Sequence, residues 1–168
     1  MRYAGLKEND CVNGEGVIVS LWMQGCPHHC KGCFNQETWD MCGGAEIAPS
    51  ALTSRILKAI PANGIRRNFS VLGGEPLCEQ NRECVWDIVS KVRQEYPDIK
   101  IFIWSGYTIE ELKAQQSDII KKILYNIDML IDGRFVEELK DLTLKWRGSS
   151  NQRLLNKEEI RKIYDELI

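Results

Sequence analysis

Three of the seven cysteines stand within eight residues, CPHHCKGC at 26–33, in the spacing C-x3-C-x2-C. Thiolates are ligands for soft metal centres, chiefly zinc and iron–sulfur clusters. A structural zinc site closes with four ligands, commonly as two separated pairs. Here Cys26, Cys30 and Cys33 would need His28 or His29 as the fourth, and the chain holds no second close group of cysteines. A four-iron cluster held by three thiolates leaves one iron without a protein ligand. At such an open position a small molecule can bind and react, and the cysteine spacing favours the cluster over zinc.

A second group, GGEP at 73–76, follows an apolar run. Glycines and proline by themselves make a tight turn. Glycine also lets backbone approach a ligand closely, and Glu75 adds a carboxylate. A carboxylate beside main-chain carbonyls suits an ammonium group. An amino-acid ligand would then chelate the open iron through its amine and carboxylate, with the amine held near Glu75.

These groups need a frame. Four apolar runs rich in Val, Ile and aromatics read as buried strands: GVIVSLWM (16–23), FSVL (69–72), IKIFIW (99–104) and IDMLI (127–131). Nearly continuous apolarity suits strands covered on both faces. Helical spacing lies between them. Leu52, Ile56, Leu57 and Ile60 share one face, as do Val85, Ile88, Val89, Val92 and Tyr96. Thr108 and Glu111 form a capping box that starts another helix. A last helix from near Asn156 carries Ile160, Ile163, Tyr164 and Leu167 inward. Strands alternating with helices mean parallel strands joined by crossover helices. A closed eight-stranded barrel takes roughly 250 residues, and the chain has 168. The fold class is therefore α/β, as a partial, open barrel or an open doubly wound sheet. The cysteine loop, GGEP, SGYT (105–108) and DGRF (132–135) each follow one of the four strands, and KWRGSSNQR (145–153) follows a short fifth one. All of them thus fall on the edge where parallel α/β folds build their sites.

There is no internal repeat and no linker, so residues 1–168 are expected to form a single domain. The hydrophobic and charged fractions, 43% and 27%, are those of an ordinary globular protein. A net charge of −2 gives no call for nucleic acid or an anionic membrane as partner. The N-terminus MRYAGLKEND has no apolar signal core, and no run is long enough to span a bilayer. The expected compartment is the cytoplasm, where thiols stay reduced. Cys11, Cys42, Cys78 and Cys84 are scattered and read as small apolar residues.

Cys26, Cys30 and Cys33 in the first βα loop, with Gly73–Pro76 after the next strand, resemble the radical S-adenosylmethionine enzymes. The resemblance implies a [4Fe–4S] cluster on these three cysteines and S-adenosylmethionine on the open iron. It implies a partial (open) β/α barrel of parallel strands. It places the cofactor against Gly32, Cys33 and Phe34, against Gly73, Gly74 and Glu75, and against Ser105 and Asp132. Many members carry an aromatic residue just before the third cysteine; here Gly32 stands there and Phe34 follows. Ser105 reads equally as a turn serine, and Arg134 as half of a loop ion pair. Lys145, Arg147 and Arg153 are open to the cofactor's carboxylate, to a partner or to solvent. His28 and His29 either tune the cluster or face water.

Within that superfamily, GCPHHCKGCFN, GGEPL, SGYT, DMLIDGRF and WRGSSNQR together are similar to the activating components of anaerobic ribonucleotide reductases, over nearly the whole length. That likeness implies reductive cleavage of S-adenosylmethionine, fed by a low-potential electron donor such as flavodoxin or ferredoxin. It implies a glycyl radical left on the catalytic subunit of the reductase. The cofactors carry the chemistry, so no side chain is expected to be catalytic. Two other readings stay open at this point. One is activation of another glycyl-radical enzyme such as pyruvate formate-lyase; the other is a non-enzymatic zinc-binding interaction module.

Overall fold

The four expected strands lie side by side in one seven-stranded sheet. The structure is a computed structural model and describes residues 1–166; Leu167 lies outside the described residues. The strands are β1 (Arg2–Asp10), β2 (Ile18–Met23), β3 (Ala45–Glu46), β4 (Asn68–Gly73), β5 (Ile101–Ser105), β6 (Met129–Asp132) and β7 (Arg153–Asn156). Their order across the sheet is β3-β1-β2-β4-β5-β6-β7. The central β2, β4, β5 and β6 are parallel, with Val19 beside Phe69, Phe69 beside Ile101 and Ile103 beside Leu130. The flanks correct the expectation of parallel strands only, since β1 and β7 run antiparallel to their neighbours.

Helices α1 (Pro49–Ala59), α2 (Arg82–Glu95), α3 (Ile109–Ala114) and α4 (Asp118–Asn126) make the crossovers, and α5 (Lys157–Asp165) closes the described chain. The capping box expected at Thr108 forms, with both reciprocal hydrogen bonds present. What reads in sequence as one helix after Thr108 is two. Gln116 breaks it at a φ of 50°, and Ser117 caps the second piece. The polar β1 carries no clear alternation, and β7 replaces the short fifth strand expected before residue 145.

Strand side chains alternate between two faces, and the faces differ. Val19, Leu21, Val71, Ile101, Ile103 and Leu130 form one buried core with the apolar stripes of all five helices. An open doubly wound sheet would have helices on both faces; here they cover one. The other face carries Ser20, Trp22, Ser70, Leu72, Phe102 and Trp104. Loops cover it instead. Asp10 accepts a hydrogen bond from Ser20 Oγ at 2.8 Å, Ser70 Oγ donates to the Asn13 carbonyl at 2.6 Å, and Phe102 meets Trp146 edge-on at 5.2 Å. The apolarity of the strands on both faces is thus accounted for by two different coverings.

Candidate functional site

The loop-covered face opens at the C-terminal strand ends into a cavity of about 410 Å³. Cys26, Cys30 and Cys33 border it from the loop after β2, and Gly73, Gly74 and Glu75 from the end of β4. Ser105 ends β5, Gly106 follows it and Phe135 follows β6; Trp146, Arg147 and Gly148 add to the wall. That size is within the range of small-molecule sites.

The cysteine loop is pinned before it reaches Cys26. Gly25 N donates to the Thr38 carbonyl at 2.8 Å and Cys26 N to the Trp39 carbonyl at 3.2 Å. Between the second and third cysteines a turn closes with Cys33 N donating to the Cys30 carbonyl at 3.1 Å. The two histidines point to different surroundings. His29, at a φ of 47°, stacks on Trp39 with ring centroids 4.9 Å apart, and the side chain of His28 is 5% exposed.

Glu75 is buried and carries four hydrogen bonds. Its Oε1 accepts from Ser105 Oγ at 2.8 Å and Leu77 N at 2.9 Å. Its Oε2 accepts from Gly106 N at 2.7 Å and meets His28 Nε2 at 2.9 Å. A carboxylate offers about four acceptor directions, so an arriving ammonium has to replace one donor or rest on neighbouring carbonyls. Buried Asn81 ties the same two loops, its amide donating to the carbonyls of Gln24 at 3.0 Å and Glu75 at 2.9 Å. Gly74 is where they touch: a Cβ there would stand 2.4 Å from the Gly25 carbonyl oxygen. Only glycine permits that approach.

The donors suit an iron–sulfur cluster. Burial pushes the Cys26 thiol up to about 11, and burial with the nearby Cys33 raises Cys30 as well. Thiols so placed ionise against a bound cation rather than against water. Among the described residues no three His, Cys, Asp or Glu side chains stand close enough to share a single ion; ligands on separate corners of a cluster need not. The wall also suits an organic ligand with an acceptor group. Arg147 donates from one guanidinium nitrogen to the Gln152 carbonyl at 2.8 Å, while its buried Nε has no partner.

Two expected cofactor contacts are not on this wall. Gly32 faces away, where an added Cβ would stand 2.7 Å from a Glu137 carboxylate oxygen. Asp132 is fully buried and turned elsewhere. It stands opposite Arg153 across the β6–β7 pair. It accepts Arg153 Nε at 2.9 Å and, at the start of α3, Ile109 N at 2.8 Å. Arg153 reaches Glu110 too, and that hydrogen bond holds the Glu110 carboxyl at about 2. We therefore expect Asp132→Asn to lower unfolding stability by about 1–3 kcal/mol and to leave ligand affinity at the cavity within about threefold. Denaturant unfolding and calorimetric titration check the two halves.

The other expected residues divide. Ser105 is both wall and turn, since its Oγ also accepts from Tyr107 N at 3.1 Å. Arg134 is bound to both oxygens of Glu111 at 2.9 and 3.1 Å. Lys145 lies 4.0 Å over the Trp146 ring, leaving Arg147 as the cation of that loop on the wall. Phe34 packs against Phe135 at 5.2 Å, and both rings lie over Gly148.

The chain is similar to known proteins of one kind. A protein-family profile described as a 4Fe-4S single cluster domain matches residues 12–155. The anaerobic ribonucleoside-triphosphate reductase-activating protein of Pasteurella multocida is 38% identical over 153 residues, which is 90% of this chain and 95% of that protein. The protein of the same name from Vibrio cholerae is 39% identical over 90% of this chain and 96% of its own length. The one from Enterobacteria phage T4 is 36% identical over 92% and 93%. The chain belongs to this family of reductase-activating proteins.

The sequence leaves His28 open between tuning the cluster and facing water, gives Gly106 only as part of SGYT, and does not single out Asn81. A histidine inside a cysteine motif and a glycine after a strand are visible signals, but their partners are 47 and 31 residues away in the chain. Asn81 gives no local sign at all.

Proposed function

We propose that this chain activates an anaerobic ribonucleotide reductase by generating a glycyl radical on its catalytic subunit. The observation that carries this reading is the meeting of Cys26, Cys30 and Cys33 with Gly73–Glu75 at one cavity, in a chain of the activating-protein family. Cys26, Cys30 and Cys33 would hold a [4Fe–4S] cluster, and Gly73–Glu75, Ser105 and the main chain of Cys33–Phe34 would hold S-adenosylmethionine. When bound, the two groups supply one-electron cleavage of a carbon–sulfur bond and removal of a hydrogen atom from a glycine of the reductase.

The chain's own residues bind, orient and exclude. Gly74 lets the end of β4 close on the cysteine loop. Arg147 offers its free N–H to an acceptor of the cofactor. Trp22, Trp104 and Trp146 give the cavity an apolar side that keeps water from the reacting centre. The parallel strands are read as a partial, open β/α barrel of the radical S-adenosylmethionine type, with residues 1–168 as one domain. Helices on one face and a cavity on the other support that reading. The electron comes from a low-potential donor such as flavodoxin or ferredoxin, and the compartment is the cytoplasm. Among the described residues no helix is long and apolar enough to cross a membrane. The near-balanced charge supports a partner list without nucleic acid or membrane.

The open side of the cavity is the place for the reductase. Val12, Phe34 and Leu142 are three of the five large apolar side chains exposed among the described residues, and all three border this cavity. Exposed apolar groups gathered at one mouth mark a contact surface. Leu142→Asp is expected to weaken binding of the reductase about tenfold or more, or about 1.4 kcal/mol. S-adenosylmethionine cleavage without the reductase should stay at its original rate.

Mixing the reduced, cluster-loaded protein with S-adenosylmethionine and the anaerobic reductase tests the function directly. A glycyl-radical doublet in the electron paramagnetic resonance spectrum is expected. Cofactor cleavage without that doublet would point to a different glycyl-radical enzyme as substrate. Stoichiometric zinc in place of iron after anaerobic reconstitution would end the enzymatic reading.

A further inference from the structure

We infer that His28 is a positioning residue: it fastens the cysteine loop to Glu75 and so sets where the open corner of the cluster stands relative to Gly73–Glu75. This rests on the cluster assignment above. The imidazole belongs by its backbone to the segment between Cys26 and Cys30, yet its ring is held by residues of two other loops. Glu75 Oε2 already accepts from Gly106 N, so the 2.9 Å contact has His28 Nε2–H donating to it. Tyr107 meets the ring edge-on at a centroid distance of 4.4 Å. Gly106 leaves the slot that the ring fills, since a Cβ there would stand 2.4 Å from His28 Cδ2.

Hydrogen bonds to a buried carboxylate are short, strong and directional. With both ends of this one buried (5% and 1% exposed), the loop carrying Cys26 and Cys30 moves only if the Glu75 network moves with it. The contact engages Nε2 and ties the ring to Glu75. Glu75 in turn is anchored by the main chain after β4 and β5 through Leu77 N and Gly106 N. One side chain thus couples the seat of the cluster to the segment that faces the cofactor.

The test compares His28→Leu, His28→Gln and Gly106→Ala in the full chain, reconstituted anaerobically. Iron content, the change in the reduced-cluster spectrum on adding S-adenosylmethionine, and the Kd of S-adenosylmethionine are read for each. Outer residues that orient metal ligands typically matter by about 10–100-fold. His28→Leu should therefore bind S-adenosylmethionine about 10–100-fold more weakly and lose the spectral change. His28→Gln keeps an N–H at reach and should recover most of both. Gly106→Ala, which displaces the ring from outside the cysteine motif, should resemble His28→Leu. Native affinity and a native spectral change in His28→Leu would overturn the inference, and so would His28→Gln as defective as His28→Leu. If His28→Leu does not fold, native behaviour of Gly106→Ala overturns it. Absence of iron from the unaltered protein would instead refute the cluster assignment itself.

Discussion

Replacing Cys30 with Ala is expected to take the reconstituted protein from about four irons per chain to a small fraction of that, while replacing Cys42 leaves the iron content unchanged. Cys30 is the middle cysteine of the motif and borders the cavity. Its carbonyl also closes the turn that presents Cys33. With two thiolates left, the cluster loses one of the three protein ligands that hold it. Loss of the cluster removes S-adenosylmethionine binding and the glycyl radical together. Cys42 is exposed and is not among the residues bordering the cavity. Iron and sulfide analysis of the two purified variants decides the matter. Equal iron in both would mean that the ligand set is wrongly assigned.

Gly74→Ala is expected to be the most damaging change that touches no ligand. The added methyl would lie 2.4 Å from the Gly25 carbonyl oxygen and 2.9 Å from its carbon. Both are backbone, so no side-chain rotation relieves the overlap. The same carbonyl accepts a hydrogen bond from Glu75 N at 2.8 Å. Pushing it away opens that bond and shifts the chain immediately before Cys26. Forced overpacking of this kind costs about 1–3 kcal/mol. The larger effect falls on the site, since loop and carboxylate are displaced in opposite directions. We expect iron incorporation to fall severalfold and the Kd of S-adenosylmethionine to rise by about 100-fold. Denaturant unfolding, iron analysis and calorimetric titration measure the three quantities. Full iron with native affinity would show that the contact between Gly74 and Gly25 does not shape the site.

How much of this was legible beforehand differs from element to element. The four central strands announce themselves by apolar runs, and the stripes of α1, α2 and α5 by spacing. β1 does not, because a half-exposed antiparallel strand needs no apolar run; it is held by pairing with β2 and β3. Asp132 shows the limit most clearly. At the end of a parallel strand, next to glycine, it has the look of a site residue. Only the antiparallel return of β7 sets Arg153 opposite it and turns the carboxylate into a brace for α3. Glu75 was legible as a site residue, but its four donors were not, three of them coming from Ser105, Gly106 and His28.

The sequence alone determined the close group of three cysteines and the central strands and helices of the frame. Chelation by close cysteines and alternation of strand with helix are local patterns, written in residue spacing. Tertiary structure decided the rest: which sheet face the helices take, which loops meet above the cavity, and what holds the cysteine loop against the end of β4. Those choices come from contacts between residues tens of positions apart, such as His28 with Glu75 and Gly25 with Gly74. They depend on shape and on donors meeting acceptors after the core has packed, and no periodicity along the chain records them.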